Sequence, residues 1–320
     1  MNFGRGACLT ACASFFAQQI TNGKEDGEMA ALHEGAFGAP GAALRGEGSA
    51  PPLPRLTLIG QRINAAARAD VRQALQAGDY AALAGLMRAQ CAAGARHIDL
   101  CAAAPGVDEA AALRRLMDLL AETCPQAVPV PDSPSADVLE QALRGWHGDV
   151  VINSTTAAPD RLSRMLALAG EHGARLIALA MFDRPGGPDE RRRALDAIVR
   201  RADALGFARA GLIADCLALA GSPACATLEA LDHARGLGLD TVLGISNVSH
   251  GLPGRGALNA ALLAMATARG LSWAILDPLD DGIMDAVCAL DLLSGHDELG
   301  LGYVRRMKQR AGRAEDRPKG

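Results

Sequence analysis

Residues 175–215 read RLIALAMFDRPGGPDERRRALDAIVRRADALGFARAGLIAD. The stretch opens on a short apolar run, 175–181, of the kind that forms a buried strand. Pro188 then starts a long stretch of helical period, at a position where a missing N–H does no harm. Gly206 supplies the left-handed residue that ends the helix. The chain returns to a second apolar run at 211–215. Strand, helix and returning strand make one parallel crossover unit.

The unit repeats in both directions from there. Strand candidates lie at 56–60, 97–101, 127–131, 149–153, 175–181, 211–215, 241–246 and 273–277. Helix candidates lie between and after them, at 79–93, 108–122, 135–144, 159–171, 188–205, 223–235, 256–268 and 280–293. This is an α/β chain, and eight β–α units over about 240 residues close most economically into a (β/α)8 TIM barrel. An open doubly wound sheet is the alternative. It needs a glycine-rich phosphate loop after the first strand, and Gly60-Gln61-Arg62-Ile63-Asn64 is not one.

Composition agrees with a layered parallel core. Of 320 residues, 49% are hydrophobic and only 3% aromatic, so Ala, Leu, Val and Ile must fill the interior. A net charge of -4 argues against a nucleic-acid footprint, which shows a basic stripe. No apolar run reaches the roughly 18 residues of a spanning helix, so no membrane role is expected. The eight cysteines are scattered without a CxxC pair, which reads as reduced cytoplasmic thiols. Residues 1–54, rich in Gly, Ala and Pro, read as a disordered extension. Leu9-Thr10-Ala11-Cys12 faintly resembles a lipoprotein cleavage box, but an apolar core before it is missing. The barrel is expected over 55–308, in a single domain, with a flexible tail at 309–320.

In a parallel barrel, chemistry collects at the C-terminal ends of the strands. Those ends carry Gln61, Arg62 and Asn64, then Asp99 and Cys101, Asp132-Ser133, Asn153-Ser154-Thr155, Asp215-Cys216, Ser246-Asn247 with Ser249 and His250, and Asp277. Ser133, Thr155 and Asp277 fit equally well as helix N-caps. The ring as a whole is carboxylate and carboxamide, with Arg62 and Arg255 as its cations. Such a ring suits a ligand edge rich in N–H donors, as a pterin's aminopyrimidinone is. It does not suit a phosphate. The only lysines are Lys24, Lys308 and Lys319, all outside the strands, so Schiff-base chemistry is excluded. The histidines show neither HxH nor HExxH spacing, so no metal site is expected. His97 opens a strand at the opposite face and is read as structural.

Five phrases together resemble a family. They are Gly60-Gln61-Arg62-Ile63-Asn64, Ile98-Asp99-Leu100-Cys101, Ile152-Asn153-Ser154-Thr155, Ile213-Ala214-Asp215, and the run from Gly244 through Ser246-Asn247-Val248-Ser249-His250 to Arg255. In this order they resemble the methyltetrahydrofolate:corrinoid methyltransferases, among the pterin-binding barrels. The resemblance implies that Asp132, Asn153 and Asp215 hold the pterin edge and that Asn247 lies beside N5. It implies that His250 and Arg255 meet the rest of the folate or the approaching corrinoid, with Gln61, Asn64 and Asp99 completing the substrate contacts. Asn247 and Asp215 would carry the catalysis. The methyl group of methyltetrahydrofolate would pass to, or reversibly from, Co(I) of a corrinoid (cobalamin). The Asp-x-His-x-x-Gly pattern of histidine-on cobalamin binding is absent, so the corrinoid is expected on a partner protein. The resemblance also implies a homodimer. Two departures stand out: Gln61 replaces the family's usual Glu, and Cys101 its usual Asn. They leave room for two rivals, a dihydropteroate synthase and a non-catalytic accessory subunit that binds folate or a corrinoid protein.

Overall fold

A computed structural model describes residues 53–315. The segment 1–54, expected to be a disordered extension, lies almost wholly outside those residues. Eight parallel strands alternate with helices. The strands are β1 (Thr57–Asn64), β2 (His97–Cys101), β3 (Val128–Pro131), β4 (Val151–Thr155), β5 (Arg175–Leu179), β6 (Leu212–Asp215), β7 (Asp240–Gly244) and β8 (Trp273–Leu276). The helices are α1 (Ala69–Ala77), α2 (Tyr80–Ala92), α3 (Glu109–Thr123), α4 (Ala136–Leu143), α5 (Pro159–Glu171), α6 (Pro188–Ala204), α7 (Cys225–Gly236), α8 (Arg255–Ala268), α9 (Asp281–Leu293) and α10 (Leu301–Glu315).

The strand order is β3-β2-β1-β8-β7-β6-β5-β4, with neighbours parallel. The two ends of that order meet through a single parallel bridge between Asp132 and Asn153. The Ser133 N–H donates to the Asn153 carbonyl at 3.1 Å across the same seam. The sheet thereby closes into the TIM barrel that the repeat predicts.

Side chains alternate across each strand, so one face fills the barrel and the other meets the helices. Ile59, Val130, Val151, Ile177, Ile213, Val242 and Trp273 form the inner cluster, one residue from every strand except β2. β2 spends its inward positions differently. His97 stacks edge-on against Trp273, with ring centroids 4.6 Å apart, so Asp99 and Cys101 share its inward face. Arg175 lies over the same Trp273 ring and pairs with Asp240 at 2.5 Å, closing the floor of the barrel. Burial, helped by Arg175 and Arg96, depresses the His97 pKa to about 4, so this ring is a neutral structural group. The outer layer is a continuous Leu, Ala, Ile and Met core between strands and helices.

Several helix starts follow simple chemistry. Asp79, Asp108, Ser135 and Asp280 accept backbone N–H bonds as N-caps, and α5 and α6 begin with proline. Asp277, offered by the sequence as a possible cap, is not the cap of α9; Asp280 is. Three expectations are corrected. Strand β1 runs to Asn64 rather than Gly60, because a bulge between Gly60 and Ile63 carries the pairing onward. Helix α1 precedes the helix expected from residue 79. The stretch from 309, expected as a tail, continues α10 to Glu315, with residues 316–320 outside the described region. Arg306 pairs with Asp281 and Asp285 and Arg310 with Asp285, which fastens α10 to α9. Among the described residues no helix is long and apolar enough to cross a membrane.

Candidate functional site

The inward positions at the C-terminal ends of β2, β3 and β4 hold one connected polar cluster. Asn153 donates from Nδ2 to Oδ1 of Asp99 at 3.0 Å. Asp132 is the bridge partner of Asn153. Beside it, Ser133 donates from Oγ to Glu109 at 2.7 Å, bringing a carboxylate from the first turn of α3 against the seam. Two acids in so dry a place resist ionisation. Burial first, then the Asp132 charge, pushes the Asp99 carboxyl well above the usual range, while the Asn153 bond opposes the shift. Burial and then Glu109 raise Asp132 to about 6. The same burial and the neighbouring Asp132 raise the Cys101 thiol to about 11, so this residue is a neutral lining group.

Asp215 ends β6 and accepts the Leu217 N–H at 2.8 Å. Burial lifts its pKa to about 6, against the Leu217 bond and the Arg191 charge. The loop beyond it is held by Arg191, which is 3% exposed. Its guanidinium donates to the carbonyls of Cys216 at 2.7 Å, Leu217 at 2.8 Å and Gly186 at 3.0 Å, and to Thr227 Oγ1 at 3.2 Å. Leu217 takes a left-handed φ of 62°, uncommon for a residue with a branched side chain. Sequence reasoning missed Arg191. The signal existed: it falls in register with Ala194, Leu195 and Ile198, the buried stripe of α6.

After β7 the chain makes a 3-10 turn, Ile245–Ser249, which carries Asn247. Gly244 lies at an inward position, in phase with Val242 of the inner cluster. A Cβ on Gly244 would sit 2.7 Å from Asn247 Nδ2. The Asn247 amide is therefore folded back over the barrel mouth, into the space a side chain at 244 would occupy. Ser246 donates to Gln61 Oε1 at 3.0 Å and ties this turn to β1. Arg255 donates to Ser249 Oγ at 3.0 Å and to the Ser246 carbonyl at 3.1 Å. Arg255 thus clamps the turn that presents Asn247.

Not every residue of the expected ring faces the mouth freely. Arg62 is closed onto Asp277 through two contacts of 2.8 Å from Nε and one of 2.7 Å from Nη2. Its own N–H is held by the buried Gln90 at 3.0 Å. Asn64 accepts the Ala67 N–H at 2.9 Å and shapes the turn after β1. His250 is exposed on the rim. Asp99, Asp132 and Asn153 are brought together directly, and Gln61, Ser246, Asn247 and Arg255 form a second group around the β7 turn. Among the described residues no group of three or more His, Cys, Asp or Glu side chains is disposed to hold a metal ion.

The arrangement offers buried acceptors on one side of the mouth and an amide donor on the other. The model of the pterin binding enzyme family matches residues 60–277. The methylcorrinoid:tetrahydrofolate methyltransferase of Eubacterium limosum is 25% identical over 267 residues, covering 79% of this chain and 97% of that protein. The methionine synthase of Mycobacterium leprae (strain TN) is 28% identical over 244 residues, 70% of this chain, which spans only 20% of that longer protein. Among solved structures, a Xanthomonas albilineans dihydropteroate synthase in complex with indole-2-carboxylic acid and 6-chloroguanine superimposes with a TM-score of 0.58. It shares 17% identity and covers 75% of this chain and 92% of its own, a likeness of fold.

Proposed function

The chain belongs to the pterin-binding enzyme family, and from that premise we propose that it moves a methyl group between N5 of a reduced folate and the cobalt of a corrinoid. The observation that carries the reading is the polar mouth itself. Asp132 and Asn153 meet at the β3–β4 seam, Asp215 ends β6 and the Asn247 amide folds back beside Gly244; in this reading the first three are the acceptors for a pterin's N–H edge and the last is the donor. The match along 97% of a methylcorrinoid:tetrahydrofolate methyltransferase supports the same chemistry. The corrinoid is a substrate carried by a separate protein. The reading extends to a cytoplasmic homodimer, and sedimentation velocity checks the dimer.

In the folate-to-corrinoid direction the N5–methyl bond breaks and its electron pair stays on N5. The methyl carbon accepts the electron pair of the reduced cobalt, and a proton neutralises N5. A tertiary amine leaves poorly unless the growing negative charge is met by a donor. Asn247 supplies that donor, stronger in the transition state than in the ground state. Asp215, with its pKa near 6, is suited to hold and pass the proton through a hydrogen-bonded chain. Asp99 fixes the Asn153 amide by taking one of its N–H groups, which leaves the Asn153 carbonyl for the ligand.

The test is direct. Purified protein with methyltetrahydrofolate and free cob(I)alamin is expected to yield methylcobalamin, followed by the cobalamin spectrum. Tight folate binding without transfer would favour an accessory subunit. Condensation of 4-aminobenzoate with a pterin pyrophosphate would make it a dihydropteroate synthase instead.

Gly244 gives a second handle. Its φ of -74° accepts alanine, but the new Cβ would meet the Asn247 amide. Gly244→Ala should therefore fold with a nearly unchanged Tm, because the colliding atom ends a movable side chain. Methyl transfer should fall about tenfold or more as Asn247 is displaced. Wild-type kcat in this variant would mean that the folded-back amide is not the working position.

A further inference from the structure

A cavity of about 160 Å³ opens beside the mouth, bounded chiefly by Gln61, Ser246, Arg255, Asn259, Asp277 and Asp280. It adjoins the turn that carries Asn247, since Ser246 lines it. Its lining is not that of an anion site. Asp277 is occupied by Arg62, Asp280 caps α9, and the Arg255 guanidinium is engaged by Ser249 and Ser246. With Asp277 already paired to Arg62, one guanidinium and one carboxylate remain, which gives a free carboxylate no advantage here. Asn259 Oδ1, by contrast, is buried without a hydrogen-bond partner. A buried acceptor left unpaired is costly, and it calls for an incoming N–H or O–H.

We propose that this side cavity receives a carboxamide arm from the rim of the corrin ring, and so seats the corrinoid substrate next to Asn247. The proposal rests on the methyl-transfer reading above. A corrin carries primary carboxamides around its edge, and each offers two N–H donors and one carbonyl. A turn of the Asn259 amide toward the cavity lets such a group supply the donor that Oδ1 lacks, and its carbonyl finds a donor in the Arg255 guanidinium. It is neutral, as the lining requires. The cavity opens at the ends of β7 and β8, on the same face of the barrel as the Asn247 turn.

The test compares two free corrinoids in the Co(I) state that both lack the nucleotide, cobinamide and the heptamethyl ester of cobyrinic acid, in which methyl esters replace the carboxamides. With wild-type protein, kcat/KM for the ester should be about fivefold to tenfold lower, the effect of one lost hydrogen bond to a buried acceptor. Asn259→Leu narrows the cavity and removes the acceptor. It should raise KM for cobinamide by a similar factor, abolish the preference over the ester, and leave the Kd for methyltetrahydrofolate unchanged. Equal kcat/KM for the two corrinoids with wild-type protein would overturn the proposal without any variant. So would a preference that survives intact in Asn259→Leu. Failure of wild-type protein to methylate either corrinoid, with folate bound, would overturn the functional reading and this inference with it.

Discussion

Replacing Asn247 with alanine is expected to slow methyl transfer about a hundredfold while leaving the fold intact. The residue is exposed on the 3-10 turn and belongs to no core cluster, so its truncation removes little packing. The turn itself is secured elsewhere, by Arg255 on Ser246 and Ser249 and by the Ser246–Gln61 bond. What is lost is a donor aimed at the atom where charge develops. One such donor is worth about 3 kcal/mol, or roughly a hundredfold in rate. Because that donor acts mainly in the transition state, the loss should fall on kcat more than on folate affinity. Single-turnover transfer, folate titration and thermal melting separate the three quantities. Unchanged single-turnover transfer would remove Asn247 from its assigned role.

Asp215→Asn should raise stability near neutral pH and weaken folate binding. The carboxyl titrates near 3.8 when unfolded and near 6 in the folded barrel, where burial disfavours its charge. Such an acid binds protons more tightly in the folded state than in the unfolded one. Its favourable contribution is complete below pH 3.8 and is lost as pH climbs through about 6. The whole swing is on the order of 3 kcal/mol, and residual contact with water reduces it. An asparagine keeps the acceptor for the Leu217 N–H and never ionises. The variant should therefore gain about 1–2 kcal/mol at about pH 7.5 and nothing at about pH 4. Folate affinity should drop about tenfold to a hundredfold, as a charge-assisted acceptor is replaced by a neutral one. Melting curves across that pH range decide the first half, and a variant less stable than wild type at the upper end would contradict it.

The periodic part of this fold was open to reading from residues alone. Strand β2 and helix α5 lie where the sequence puts them, because short apolar runs and Pro-started helical stripes are local signals. Helix α1 hid itself: only Val71 and Leu75 of its nine residues are buried, and Arg68 before it makes no cap bond. Helix α10 is polar and is fastened by arginines to acids on another helix. The strand-end positions of Asp132, Asn153 and Asp215 followed from the repeat. Their partners did not, because they depend on how distant segments meet. The Asp99–Asn153 bond spans 54 positions of chain and the Arg62–Asp277 pair 215. No window of sequence contains both halves, so Arg62 looked like a free cation at the mouth and is a closed ion pair.

The seam between β3 and β4 has a mechanical meaning for whatever enters the mouth. Seven neighbouring strand pairs are laced by ladders of several residues, while the eighth joint is a clasp of one bridge at Asp132 and Asn153. A guest gripped by both side chains spans the thinnest joint of the hoop, like a pin through a buckle. In the proposed reading, the two residues that close the ring through their backbones are the ones that hold the guest through their side chains.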